Sequence, residues 1–500
     1  MGIVQKDALR TAVVSYAGVA IGFANKVFLF LAILSETEIG LLNLFLSAAS
    51  MVALLANFGS LHMILKFFPI LKNKETNNEG FLKFTLLVSI AGACFLGLLI
   101  FIYRVDILEY YSTKSKLFAD NFIWVLPIAI GILFFRLFDG YLRAYQKNIV
   151  PVLVNEVIFR LVFTALLLLH AYDVINFYWL MVLSSLAHMG PMVVMVIYLS
   201  YLGHWKVFTA RITIRPRLKK IMLKYAGITY LNNLGTSIVW TLDVLMIAGM
   251  LGLAETGVYT ILLYFMRVFA IPFNSIMRVS VPLVSVHWKD RDMKSMNILY
   301  DKVSSVSLVI GLFFFLGIWS NRTELFSLLG EEFQIGIYAF LFLMIGNLID
   351  MYTGINGIIL IFSKKFRYDV FFTGSLIAVV FLLNLWFIPI WGITGAAMSS
   401  AIAFLLLNMA RLLFVLKAFK IHPFKKSQFV VLALFGVVLC LMEFVPMDFG
   451  NIFVNMILKS ILITLLFPVV IYFTKLEPEI NSYVDKVMGV IKKKLGMDPA

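Results

Sequence analysis

Long apolar runs constrain this chain more than anything else in it. Fourteen segments are expected at 11–33, 40–63, 84–103, 121–140, 150–170, 177–199, 225–250, 257–283, 303–319, 334–362, 369–388, 393–415, 428–445 and 452–473. Most are of the length that one helix needs to cross the hydrocarbon core of a bilayer. Strand-like alternation is absent, which favours helices over a barrel. The composition agrees: 62% of residues are hydrophobic, 14% are charged and the mean hydropathy is +0.96, too little polar surface for a soluble chain of 500 residues. The expected fold class is an all-α polytopic membrane protein.

The formal net charge of +15 would suggest nucleic acid if the chain were soluble. Here the basic residues sit in alternate loops, which makes them a topology signal and gives no reason to expect a nucleic-acid partner. On one side only Arg104, Lys114, Lys116 and Arg322 occur, whereas the single connection 200–224 on the other side carries Lys206, Arg211, Arg215, Arg217, Lys219, Lys220 and Lys224. Both termini are therefore expected in the cytoplasm. That connection reads as a topological anchor with lipid-headgroup contact, or as a partner site. Cys94 and Cys440 both fall inside apolar spans, so neither a disulfide framework nor a metal site is expected. The opening charges Lys6, Asp7 and Arg10 precede a first helix expected to be retained.

A repeat divides the chain. Lys26 and Asp243 stand 217 residues apart, as do Gly40 and Gly257, and each pair flanks a short acidic turn between two apolar segments. The turns are Ser35, Glu36, Thr37, Glu38 and Ala254, Glu255, Thr256. The same offset places Asp139 on Asn356 and Lys147 on Lys364. The expected organisation is a six-helix lobe at 1–200, a basic linker at 201–224, a second six-helix lobe at 225–420, two appended helices at 421–474 and an amphipathic cytoplasmic tail at 475–500.

Charges at bilayer depth cost several kcal/mol and mark where function should be sought. Arg267, Asn274 and Arg278 share one face of span eight, with Pro272 between them to bend it. Arg267 lies about ten residues into its span, roughly 15 Å at the helical rise, near the midplane. Guanidinium forks suit phosphate oxygens; the competing readings are an ion pair with Asp243 or Asp350 for Arg267, and snorkelling for Arg278. Lys26, next to Asn25 on span one, either pairs with its repeat mate Asp243 or serves the substrate. Gly18 and Gly22 permit close helix approach. Asp350 is a candidate for proton or sodium coupling, or for pairing with an arginine, and His188 for a proton relay or a carbonyl contact near Pro191. Arg136, Asp139, Arg143, Glu156 and Arg160 are expected as one network, either an anchor for the hairpin or a cytoplasmic gate. Lys459 reads as a snorkelling residue. No nucleotide-binding loop, metalloprotease motif or catalytic triad is present, and Asp290, Arg291, Asp292 lies in too short a connection to serve a nucleotide sugar. Neither an enzyme nor a bound cofactor is expected.

The stretch Asp243, Gly252, Glu255, Gly257, Tyr259 resembles the start of the second half of polysaccharide flippases, of the O-antigen and capsule type, in the multidrug/oligosaccharidyl-lipid/polysaccharide exporter superfamily. Asn25, Lys26 and Ser35–Leu42 are similar to the first hairpin of bacterial members. The resemblance implies two six-helix lobes around a cationic cavity, supplied here by Asn25, Lys26, Arg267, Asn274 and Arg278. It further implies movement of polyprenyl-pyrophosphate-linked oligosaccharide across a bacterial cytoplasmic membrane by alternating access. Membrane lipids, a polysaccharide polymerase and glycosyltransferases are the implied partners. A multidrug or cation exporter of the same fold is the alternative, and a membrane-embedded glycan polymerase or ligase a further one.

Overall fold

The computed structural model describes residues 3–71, 80–205, 207, 208, 211–444, 449–482 and 485; most of the expected amphipathic tail lies outside them. The described residues are helical, with no strand among them. They form two compact units, one of 1–264 with 381–393, the other of 265–380 with 394–500.

In the first unit, α1 (Ile3–Phe23) continues through a π-helical turn (Ala24–Leu29) into Phe30–Ile33. The expected acidic turn then folds as a capping box. The Ser35 hydroxyl accepts from the Glu38 amide, and the Glu38 carboxylate accepts from the Ser35 amide at 2.9 Å, which starts α2 (Glu36–Ala56). Span 40–63 was expected to be continuous, but the chain breaks after Ala56 and resumes as α3 (Ser60–Leu71). Phe58 and Gly59 take positive φ there (45° and 76°), and the Asn57 side chain accepts from Ser60 Oγ and the Leu61 amide. Next come α4 (Phe81–Ile102), the short α5 (Arg104–Ser112) and α6 (Lys116–Asp120), and α7 (Val125–Ala144). After a π-helical turn at Leu153–Ile158 follow α8 (Phe159–Ala171), α9 (Phe177–Ala187) and α10 (Met189–Tyr201). The helix that opens the second repeat, α11 (Pro216–Met250), also packs here, against α2 and α3. Phe67, Phe68, Phe81, Leu137, Tyr141 and Leu199 form the apolar centre of this unit.

Helix α12 (Leu253–Phe269) leaves the first unit and bends by 48° into α13 (Ile271–Asp290). The bend falls at Ala270, just before Pro272, as the proline led us to expect. The second unit continues with α14 (Met293–Trp319), α15 (Arg322–Leu329), α16 (Ile337–Thr353) and α17 (Asn356–Phe362). Then come α18 (Phe366–Phe419), two helical arms joined at Gly392 whose residues 381–393 belong to the first unit, α19 (Lys426–Phe444) and α20 (Ile452–Thr464). The two appended helices rest on α14, where Val431, Val438, Ile463 and Phe467 meet Leu308, Leu312 and Leu316.

Eleven of these helices are long and apolar enough to cross a membrane, or twelve when the bent pair α12–α13 counts as one span. Fourteen were expected, and one difference has a visible cause: α18 holds two of the expected spans, 369–388 and 393–415, joined at Gly392, whose backbone is non-helical (φ 58°, ψ −138°).

The repeat has a geometric counterpart inside the first unit. A Cβ built on Gly40 would overlap the carbonyl of Leu253, and one built on Gly257 would overlap the carbonyl of Glu36. Both glycines and both carbonyl residues are related by the offset of 217, so the contact is reciprocal, as across a two-fold axis. Glycine→alanine in an open helix gains about 1 kcal/mol, but here the added methyl meets backbone. We expect Gly40→Ala and Gly257→Ala each to destabilise the protein by about 1–3 kcal/mol. Gly436→Ala, with open space around it, should be neutral or stabilising; thermal denaturation of the purified protein compares the three.

Candidate functional site

Polar side chains at membrane depth gather in several clusters. In the first unit the Lys26 ammonium donates to Asn43 Oδ1 at 3.0 Å and lies over the rings of Phe30 (3.9 Å), Tyr264 (5.1 Å) and Phe163 (5.8 Å). An amide and three π faces stabilise a cation in a low-dielectric setting without neutralising it. Asn25, buried beside it, donates to the Arg160 carbonyl at 3.0 Å and accepts from Thr164 Oγ1 at 2.8 Å, so its amide joins α1 to α8. The glycines of α1 do what their spacing predicts: Gly18 abuts the Glu156 backbone, and the Arg160 guanidinium occupies the room left by Gly22. Arg160 pairs with Glu156 and donates to the Gly18 carbonyl.

Asp243 is fully buried. Its carboxylate accepts from Tyr259 Oη at 2.9 Å and Asn384 Nδ2 at 2.7 Å, all three residues being fully enclosed. Asn384 Oδ1 is buried without a hydrogen-bond partner, an acceptor with nothing to accept. The hydrogen bonds described here for Lys26 and Asp243 thus go to different groups. His188 Nδ1 lies 2.7 Å from the Ser184 carbonyl oxygen, one helical turn back, and its ring meets Phe159 edge-on. Asp139 and Arg143 form a two-point pair at 2.6 and 3.0 Å, separate from the Glu156–Arg160 pair, and Arg136 is exposed.

In the second unit Arg267, Asn274 and Arg278 are all exposed along the bent pair α12–α13. Asp350 accepts from Asn408 Nδ2 at 3.1 Å, and Asn408 Oδ1 accepts in turn from Thr353 and Asn356. Asn356 is the repeat mate of Asp139, so one half places an amide where the other places a paired carboxylate.

Sequence reasoning missed a group beside this network. Arg411 donates to Asp369 Oδ1 at 2.8 Å and to Thr373 Oγ1 at 3.0 Å, and its guanidinium lies against Gly357. Asp369 and Arg411 stand near the ends of their expected spans, where a charge passes for a headgroup contact. The available signal was that carboxylate, hydroxyl and guanidinium all recur on facing spans of one hairpin. Lys459 was read as snorkelling; instead it is held by Glu324 Oε1 at 2.5 Å and the Ser320 carbonyl at 3.3 Å. Glu324 is itself buried. Leu328, Phe453, Ile457, Ile461 and Leu465 line an apolar groove of about 590 Å³ along α15 and α20.

No family model matches the sequence, and neither does any curated protein. Solved structures do resemble it. The "Lipid II flippase MurJ, inward closed conformation" matches 93% of this chain and 99% of its own with a TM-score of 0.70 at 14% identity. An inward-facing "multidrug resistance MATE family transporter of the MOP superfamily" covers 81% of this chain and 94% of its own, with a TM-score of 0.59 at 13% identity. A MOP superfamily transporter from Pyrococcus furiosus, described as having a binding pocket of reverse polarity, has a TM-score of 0.53 at 14% identity over 84% of this chain and 96% of its own. At these identities the likeness is one of fold, and it extends over nearly the whole chain.

The Asp369–Arg411 pair is nearly sealed, with side chains 2% and 11% exposed. Removing one partner strands a charge, so Arg411→Met should cost about 3–5 kcal/mol. Arg411→Met with Asp369→Leu should recover much of that loss, and thermal denaturation of both variants checks it.

Proposed function

We propose that this chain is a flippase of a bacterial cytoplasmic membrane that carries polyprenyl-pyrophosphate-linked oligosaccharide from the cytoplasmic to the outer leaflet. The observation that carries this reading is the exposure of Arg267, Asn274 and Arg278 on one bent helix pair at membrane depth. Charged groups there are expensive unless they meet water or a counter-charge. A pyrophosphate supplies several oxygens, and each guanidinium can donate two hydrogen bonds to them. The overall likeness to a lipid II flippase supports a lipid-linked cargo. The apolar groove along α15 and α20 is suited to hydrocarbon.

In this reading the two six-helix lobes of the repeat alternate to expose the cargo to one side and then the other. Glycosyltransferases on the cytoplasmic face supply the substrate, and a polysaccharide polymerase on the outer face consumes the product. The chain itself performs no covalent chemistry. Coupling to a proton or sodium gradient is assigned first to Asp243, a fully buried carboxylate held by Tyr259 and Asn384, and then to Asp350, with His188 as the relay candidate. Arg136, Asp139, Arg143, Glu156 and Arg160 are assigned to the cytoplasmic gate, with the Glu156–Arg160 pair set against α1.

A second reading, export of drugs or organic cations, is favoured by the likeness to multidrug transporters and by the carboxylates Asp243, fully buried, and Asp350, partly buried. The two separate by charge. For the flippase, Arg267→Ala should leave lipid-linked oligosaccharide on the cytoplasmic leaflet, as depletion of the protein does, when leaflet sidedness is assayed in cells. Normal delivery to the outer leaflet in depleted cells that lack a redundant transporter, together with drug resistance on overexpression, would select the exporter. Asp243→Asn should abolish the dependence of transport on the coupling ion while leaving the protein folded; retained dependence in reconstituted vesicles would move the coupling role to Asp350.

A further inference from the structure

The connection 104–120 is too small to be a domain, yet it is ordered and tied down on two sides of one seam. On one side its Phe118, 1% exposed, packs against Phe45 of α2 at 5.4 Å, with Tyr111 at 4.9 Å completing the cluster. On the other side Tyr111 Oη donates to the Leu245 carbonyl at 3.1 Å, and Ser115 Oγ donates to the Ala248 carbonyl at 2.6 Å. These carbonyls lie in the last two turns of α11, and that of Ala248 is one of the last four, which lack an intrahelical donor. The Tyr110 ring fills the space left by Gly249, and the Lys114 carbonyl lies 3.2 Å from where a Cβ of Gly252 would stand. Burial and the neighbouring Tyr110 push the Tyr111 hydroxyl above its ordinary range, so it stays a donor.

The seam between α2 and residues 245–257 is the one closed by the reciprocal contact of Gly40 with Leu253 and of Gly257 with Glu36. We propose that residues 104–120 are a latch across this seam: Phe118 holds α2, Tyr111 and Ser115 hold the end of α11, and the glycine contact cannot part until the two hydroxyl bonds release. The latch holds this face shut whatever the cargo, so it goes beyond the flippase reading. Glycine-on-backbone contact has little side-chain area to hold it, and the hydroxyl bonds and the Phe118 cluster supply what it lacks.

The test uses the full-length protein in nanodiscs, with Cys94→Ala and Cys440→Ala and a single reporter, Thr256→Cys. Thr256 is fully buried on α12 next to Gly257. A water-soluble maleimide should label this reporter slowly. Adding Tyr111→Phe and Ser115→Ala should speed labelling by on the order of tenfold, the factor expected for two lost hydrogen bonds of modest net strength. Ser307→Cys, fully buried in α14, is the control and should not change. Ser115→Ala alone, the milder change, should give an intermediate rate. Faster labelling at both reporters means general loosening and overturns the latch, and unchanged labelling at Thr256→Cys overturns it too. No cargo enters the assay, so failure here leaves the flippase reading untouched, and failure of that reading leaves this result standing.

Discussion

Two helices meet backbone to backbone at Gly40 and Gly257, and much of the first unit follows from that contact. A Cβ at either position would overlap a carbonyl of the other helix, so glycine is the only residue that fits without a shift. The approach also fixes how each helix must begin. Helix α2 starts four residues before its glycine, with a capping box that satisfies its first amides internally. Because the partners are related by the repeat, one contact sets the relation of two hairpins at once. Residues 104–120 then cover the end of α11 beside it.

The second constraint is charge in a medium of low dielectric. The structure meets it in two ways. Glu156 with Arg160, Asp369 with Arg411 and Glu324 with Lys459 are matched ion pairs, each between residues that fasten one helix to another or brace one turn of a helix against its neighbour. Asp243 and Lys26 also meet neutral groups, hydroxyl and amide for the carboxylate, amide and rings for the ammonium. Arg267 and Arg278, exposed on α12–α13, extend the same positive character in the second unit.

The sequence made the helical class, the repeat, the Ser35–Glu38 turn and the bend near Pro272 legible, because each rests on local chemistry: apolar length, spacing, a capping pattern and a missing amide. The α2–α3 break was not legible. It turns on Phe58 holding a positive φ, which no propensity suggests, and it is stabilised from a distance by Tyr230 donating to the Leu55 carbonyl at 2.7 Å. Arg411 was passed over for a related reason: its meaning depends on Asp369 and Thr373, forty residues away on a facing helix. Lys459 was misread because Glu324 lies in what looked like an exposed loop and is in fact buried. Local signals survive in a sequence, whereas partners supplied by packing do not.

The interruptions of the helices point to where the chain can move. At membrane depth every backbone group freed by a break must find a partner within the protein. The break at 57–59 uses the Asn57 side chain and Tyr230, and that at Gly354 uses Ser304, which donates to the Tyr352 carbonyl, and Thr353, which donates to Ile349 and Asn408. A helix so interrupted has already lost the hydrogen bonds that resist bending, and its polar partners can exchange without exposing a bare amide to lipid. The Gly354 break lies four residues from Asp350 and joins it through Asn408. A change in the hydrogen bonding of Asp350 would therefore be felt first at this break.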